Sequence, residues 1–189
     1  MIRQAKLEDQ HEIAELSYII WEDMELPIVK NFDKAQVITW LEQAITQVPY
    51  RTFYENVLVY EIDGDVAGII ITYKGEDEMH LEKNWMKLDL PEKVRDIGTP
   101  LPLKEAEDNE LYIETVAVFS QYRGKGIATQ LMHYVIEEHR DKKLSLSCDY
   151  ENNGAYQLYQ RLGFETEGTI DLYGHAYRHM VINKKNAEQ

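Results

Sequence analysis

Hydrophobic and polar positions alternate along this chain with two distinct periods, and the changes of period mark its elements. Ile2 to Ala5 reads as a short strand. Ile13, Leu16, Ile19 and Ile20 then recur at helical spacing, with Asp9 standing where an N-cap belongs. The pattern fades at Glu25 to Pro27. A second helix is predicted from Asp33, another capping residue, with Val37, Ile38, Leu41 and Ile45 on its apolar stripe and an end before Pro49. The period then shortens. Val57 to Ile62 and Val66 to Tyr73 are β-rich runs, and Asp63-Gly64 between them supplies a tight hairpin turn.

From Gly75 to Asn109 no period is sustained, and the stretch is charged and holds Pro91, Pro100 and Pro102. Loops this long are uncommon inside compact domains. Two readings stay open: a surface insertion with a short helix near Pro91 to Arg95, or a wall or lid of a substrate site. Leu111 to Val118 is the next strand. Ile127, Leu131 and Val135, with Ala128 and Met132 beside them, form the stripe of a helix. Leu144 to Cys148 is a short strand, and Asn153 to Leu162 a helix closed by Gly163. Two strands, Phe164 to Leu172 and His175 to Asn183, complete the chain. The order βααβββαβαββ predicts one mixed α/β domain over residues 1–189, with a central sheet and a long loop or insertion at 75–109.

Charge narrows the functional classes. The 34 acidic residues outnumber the 20 basic ones, for a formal net charge of −14. Such a field repels phosphate backbones, so nucleic acid is not an expected partner, and cationic amines are mildly favoured. Cys148 is the single cysteine, which excludes an intrachain disulfide and suits an intracellular protein. The first residues, MIRQAKLEDQ, lack the apolar core of a signal peptide, and no apolar run approaches the length of a membrane helix. The expected location is the cytoplasm.

One short stretch carries chemistry. In QYRGKGIATQLM, Gln121 to Met132, two glycines and two cations precede a helix. A helix start presents backbone N–H groups without internal partners, and its dipole adds partial positive charge. Glycine removes the Cβ atoms that would hold an anion away, so a phosphate-bearing ligand suits this place. The dinucleotide fingerprint fails, because Thr129 stands at its third glycine, and no Walker loop is present. On spacing alone, a phosphate site and a simple turn both remain open.

The run Gln121-Tyr-Arg-Gly-Lys-Gly126 resembles the pyrophosphate-loop signature of the GNAT superfamily, Gln/Arg-x-x-Gly-x-Gly/Ala. These enzymes are acyl-CoA-dependent N-acyltransferases. Downstream, NNGAYQLYQRLGF from Asn152 to Phe164 is similar to that family's N-x-x-A-x-x-L-Y-x-x-x-G-F pattern. Two motifs in this order are more specific than either alone, and they cover the C-terminal half. The resemblance implies a mostly antiparallel mixed sheet whose fourth and fifth strands splay into a V. It also implies acetyl-CoA as co-substrate. Its pantetheine arm would lie in the gap, paired with the backbone around Val116, Ala117 and Val118. Its pyrophosphate would meet Arg123, Gly124, Lys125, Gly126, Ile127 and Ala128, and Asn152 would bond the arm. Tyr159 matches the family tyrosine that serves the departing thiolate.

Acyl transfer to an amine requires a group that takes a proton, a donor for the developing oxyanion and an acid for the thiolate. Helical spacing places Asn152, Ala155, Tyr156 and Tyr159 on one side of their helix. Glu114 is the candidate base or amine-positioning residue, with Glu110 a lesser one. A carboxylate beside the gap would have a raised pKa, which suits a base. Strand alternation puts Tyr112, Glu114, Val116 and Val118 on one face unless a bulge intervenes. Cys148 reads as a buried structural thiol. His175 and His179 share parity with Tyr177 and could line a pocket, but no third ligand has supporting spacing, so no metal is expected. Trp21, Glu22 and Glu25 fall in the connection between the first two helices, which the resemblance places beside the acceptor site; acidic and aromatic residues there suit a cationic amine, and a solvated acidic loop is an equally good reading.

The expected function is acetyl transfer from acetyl-CoA to a primary amine, by direct attack in a ternary complex. The acceptor is a small molecule or a peptide, and the protein a monomer or homodimer. A non-catalytic acyl-CoA-binding regulatory module would carry the same glycine motif. An interaction protein on an unrelated α/β fold would use the glycines only to turn.

Overall fold

The computed structural model describes residues 1–183. Its strands are β1 (Ile2–Gln4), β2 (Val57–Ile62), β3 (Asp65–Lys74), β4 (Glu110–Val118), β5 (Lys143–Asp149), β6 (Glu165–Leu172) and β7 (His175–Ile182). They form one seven-stranded sheet in the order β1-β2-β3-β4-β5-β7-β6. Every neighbouring pair is antiparallel except β4–β5. The helices are α1 (Gln10–Asp23), α2 (Pro27–Asn31), α3 (Lys34–Thr46), α4 (Glu78–Lys83), α5 (Glu92–Asp96), α6 (Ile127–Glu138) and α7 (Asn153–Arg161). None of the described helices is long and apolar enough to cross a membrane.

Two apolar clusters flank the sheet. The first joins Ile13 and Leu16 of α1 and Val37 and Leu41 of α3 to Val59, Ile69 and Ile71. The second joins Ile127, Leu131, Met132 and Val135 of α6 to Ile70, Ile113, Leu146, Phe164 and Met180. Neighbours Ile69, Ile70 and Ile71 enter opposite clusters in turn, as strand geometry requires. This explains the near-continuous apolar run of β3: both its faces are covered.

Local signals settle most boundaries. Asp63 (φ 51°) and Gly64 (φ 91°) both adopt left-handed conformations, the pair of angles a two-residue turn needs to match strand twist. Asp33 opens α3, where its N–H donates to Gln36 Oε1 at 3.2 Å. Asp9 precedes α1 but makes no side-chain cap bond. Its buried carboxylate instead accepts from both terminal nitrogens of Arg3, at 2.8 and 2.9 Å, and from the Lys6 N–H at 2.7 Å. A charged fork with two parallel bonds outcompetes one backbone N–H.

Two regions depart from the sequence reading. The link after α1 contains an additional helix, α2, with Pro27 in its first turn. The stretch from Gly75 to Asn109 is not a mere surface insertion. It carries α4 as well as the expected α5, and it buries Trp85, Leu88, Val94 and Leu101 in the first cluster. Its apolar residues are spread over short turns, too few per turn to register as a period.

Candidate active site

The parallel β4–β5 contact is brief. Glu110, Leu111 and Tyr112 pair with Lys143, Leu144 and Ser145, and the pairing stops there. Beyond it β4 stays bonded to β3 through Val118, while β5 follows β7. The two strands therefore part into a gap. The Phe119 N–H donates to Ala67 O at 3.0 Å, toward β3. Alternation along the strand turns the N–H and C=O groups of Val118 and Val116 the other way, into the gap.

The glycine stretch stands at the mouth of this gap. Gly124 (φ 78°) and Gly126 (φ 74°) both hold left-handed conformations, and Gly126 is the residue from which α6 starts. A side chain at either would be strained, and the exposed turn leaves the first N–H groups of α6 open. A cavity of ≈ 390 Å³ opens here, lined by Val116, Ala117, Val118, Arg123, Gly124, Gly126, Ile127 and Ala128 among others. Lys125 is not in its lining. Its ammonium lies over the Tyr122 ring, 5.4 Å from the centroid.

A second cavity, ≈ 420 Å³, continues from the first, and Ile20, Asp23 and Val116 line both. Glu114, Ser147, Cys148, Asn152, Ala155 and Tyr159 also line it, so β4, β5 and α7 converge there. Asn152 caps α7: its Oδ1 accepts from the Ala155 N–H at 3.1 Å. Burial pushes the Tyr159 phenol up to about 12, with the Cys148 sulfur adding to the shift. It is therefore a neutral proton donor at physiological pH. Tyr156 does not join this group as its spacing predicts. Its ring stacks on the Arg178 guanidinium at 3.8 Å.

Glu114 owes its position to a β-bulge. The β3–β4 register slips between Ile71↔Thr115 and Thr72↔Ile113, which leaves Glu114 without a partner. The slip also reverses parity. Tyr112 enters the first apolar cluster, whereas Val116 and Val118 pack against the second. The simple alternation that put all four residues on one face fails here, for the physical reason that an extra residue rotates the strand. Burial drives the Glu114 carboxyl up to about 7, against the lowering effects of Arg51 and of a Tyr73 hydroxyl that donates to it at 2.8 Å.

The group behind Glu114 was not evident in the sequence. Arg51, fully buried, donates to Glu82 (2.7 Å), Glu78 (2.9 Å), Glu105 (3.3 Å), Glu114 (3.5 Å), the Tyr73 hydroxyl (2.7 Å) and Leu101 O (2.7 Å). Four carboxyl groups thus surround one guanidinium. Desolvation of that many like charges is costly, and protons bound to some of them relieve it. Burial raises Glu105 to about 8. Three of the four acids, Glu78, Glu82 and Glu105, come from the 75–109 stretch, which is therefore the back wall of this site. The available signal was an excess of Glu in a segment that also carries Trp85 and Leu101.

Other candidates take plainer places. Trp21 belongs to α1 and packs edge-on against Trp85 in the core, while Asp23 and Met24 reach the cavity. Burial raises the Cys148 thiol pKa, as befits a structural thiol. His175 pairs with Asp149 at 3.3 Å. His179 bonds Glu110 at 2.8 Å and the Glu107 N–H donates to it at 3.0 Å, and against burial these bonds draw the Glu110 carboxyl down to about 2. Glu110 is thereby committed to an ion pair away from the gap.

The model of the acetyltransferase (GNAT) family matches residues 13–164. An N-acetyltransferase structure from Staphylococcus aureus Mu50 is 49% identical, covers 96% of this chain and all of its own, and superposes with a TM-score of 0.95. A second acetyltransferase structure is 36% identical, with coverage of 98% and 100% and a TM-score of 0.81. A spermine/spermidine N(1)-acetyltransferase of Bacillus subtilis (strain 168) is 31% identical over 75 residues, which span 36% of this chain and 49% of that enzyme.

Proposed function

The chain belongs to the GNAT acetyltransferase family, and from that premise we propose that it transfers an acetyl group from acetyl-CoA to a primary amine of a cationic acceptor. One observation carries the reading: a base and an acid, Glu114 and Tyr159, line one cavity that continues into the cavity at the glycine turn.

The residues present fit the co-substrate. The open N–H groups after Gly126 and the nearby Arg123 suit a pyrophosphate. The free edge of β4 at Val116 and Val118 suits an amide-bearing arm. The acetyl-CoA thioester supplies the acyl group. Glu114 takes a proton from the ammonium, and its value of about 7 lets it do so near neutral pH. The backbone N–H groups of Val116 and Val118, which open into the gap, would serve the oxygen on which charge develops. Tyr159 gives its proton to the departing sulfur.

The acceptor's charge follows from the cavity lining. Asp23, Glu114, Asp149 and Glu151 line it, and no Lys or Arg does. That arrangement favours an amine with a second positive charge. The Bacillus relative, named for spermine and spermidine, points the same way. The test is acetyl-CoA-dependent release of CoA with spermidine, a monoamine and a lysine peptide. Spermidine is expected to show the highest kcat/KM. Equal values for all three would remove the cationic preference, and no release with any amine would remove the activity.

A further inference from the structure

The acetyl transfer proposed above has a proton balance that Glu114 and Tyr159 do not complete. An ammonium nitrogen loses two protons on becoming an amide. One ends on the CoA sulfur and the other must reach solvent. The Tyr73 hydroxyl donates to Glu114 and accepts from Arg51, which does not give up its proton. Glu114 therefore has no onward acceptor on its protein side.

A second chain of groups does lead out of the cavity. Ser147 lines the same cavity as Glu114 and Tyr159. Its Oγ lies 3.2 Å from the Tyr112 hydroxyl, and that hydroxyl lies 3.0 Å from Glu105 Oε1. A phenol has a single proton, so it cannot donate to both neighbours. When Glu105 is ionised its carboxylate can only accept, so in that state Tyr112 donates to Glu105 and Ser147 donates to Tyr112. The chain has a direction, from the cavity toward Glu105. At its far end Glu105 lines a separate cavity of ≈ 430 Å³, with Lys104, Glu107, Glu167 and His179.

We propose that Ser147, Tyr112 and Glu105 form a proton relay that carries the released proton from the acceptor cavity to solvent in this second cavity. Glu114 takes the first nitrogen proton and returns it across cavity water to the Tyr159 phenolate left when Tyr159 protonates the sulfur; after attack the nitrogen gives its second proton to Ser147 Oγ, directly or across one water. The Ser147 hydroxyl proton passes to Tyr112 Oη, and the Tyr112 proton passes to the Glu105 carboxylate. Glu105 then loses its proton to water in the second cavity, and the two hydroxyls rotate back. No group changes oxidation state, and one proton leaves for each acetyl transferred.

The surroundings of Glu105 suit a terminal station. Arg51, Glu78, Glu114 and the hydroxyls of Tyr73, Tyr112, Tyr173 and Tyr177 act on it or are acted on by it. Burial above all, with Glu114 and Glu78 adding to it and Arg51 and the Tyr112 bond opposing it, places Glu105 at about 8, where it both accepts and releases a proton near neutrality.

The experiment is steady-state CoA release over pH 6 to 9, in H₂O and D₂O, for wild type, Ser147→Ala, Ser147→Thr, Tyr112→Phe and Glu105→Gln. Ser147→Ala is expected to lower kcat roughly ten-fold to a hundred-fold, leave both KM values unchanged and enlarge the solvent isotope effect. Ser147→Thr, which keeps the hydroxyl, restores the rate. Tyr112→Phe and Glu105→Gln lower kcat to the same level, and combining either with Ser147→Ala lowers it no further. Wild-type turnover with unchanged kcat and isotope effect in Ser147→Ala overturns the relay alone. Absence of amine-dependent CoA release in wild type overturns the acetyl-transfer reading beneath it, and the relay with it.

Discussion

The two ends of the cleft are built on opposite principles. At the glycine turn the working groups are backbone N–H groups, exposed and contributed by a few consecutive residues. Around Glu114 they are buried side chains gathered from the turn after α3, from β3, α4 and β4, and from the segment before β4. A backbone site needs only the right local conformation, which two glycines provide. A side-chain cluster needs the whole fold to bring its charges together, and it repels itself if any neutralising partner is missing. The first is robust and easily blocked. The second is fragile and tunable.

The sharpest way to break the comparison is to remove Arg51. Arg51→Met leaves four buried carboxyl groups around an apolar side chain. The expected loss is about 3–5 kcal/mol, which is roughly 6–20 °C in Tm for a chain of this size. Arg51→Lys rescues little, because an ammonium cannot reproduce a planar fork with six partners. A melting curve decides; a variant as stable as wild type would mean that the carboxyl groups are held neutral without the guanidinium.

The glycine turn responds differently. Saturating acetyl-CoA at about 100 times its Kd should stabilise the wild type by roughly 2.7 kcal/mol, or about 5–10 °C. Gly126→Glu should abolish that shift, since the side chain fills the anion site with like charge, while the apo Tm falls by only a few degrees. The same melting experiment therefore separates the two ends: one variant loses the fold, the other loses the ligand.

Chemistry should follow the buried end. Glu114→Gln is expected to lower kcat/KM by about 10²–10⁴. In wild type, activity should fall as pH drops through about 7, because the base becomes protonated, and this limb should vanish in the variant. Tyr159→Phe should lower kcat by about 10² with acetyl-CoA affinity unchanged. A pH-rate profile of each variant checks both. A limb near 7 that survives in Glu114→Gln would assign it to another group.

The smallest effect belongs to the rim. Asp23 is exposed and lines both cavities. Asp23→Asn should raise the KM of a cationic acceptor a few-fold, on the order of 1 kcal/mol, and should do so less at high salt. A salt-independent change would point to a hydrogen bond rather than steering.

Sequence and structure divide the molecule along the same line. The sequence reading marked all seven strands and the helices α1, α3, α6 and α7; most of them bury a stripe that repeats every two or every three to four residues, whereas α7, with no buried residue, was marked by its closing Gly163 and the Asn152 to Phe164 pattern. Gly124, Gly126 and the Asn152 to Phe164 pattern were legible for a related reason: a turn and a capped helix are written in adjacent residues. Tertiary structure alone decided the rest. The bulge at Glu114 depends on pairing with β3, so parity along β4 could not foresee that Tyr112 and Val116 part company. Arg51, Glu78, Glu82 and Glu105 look like ordinary surface charges in the chain. Their burial, their shared proton load and the line from Ser147 to Glu105 arise only when segments distant in sequence are packed out of water. Charge interactions are weak in solvent and strong inside, and the sequence does not say which charges will be enclosed.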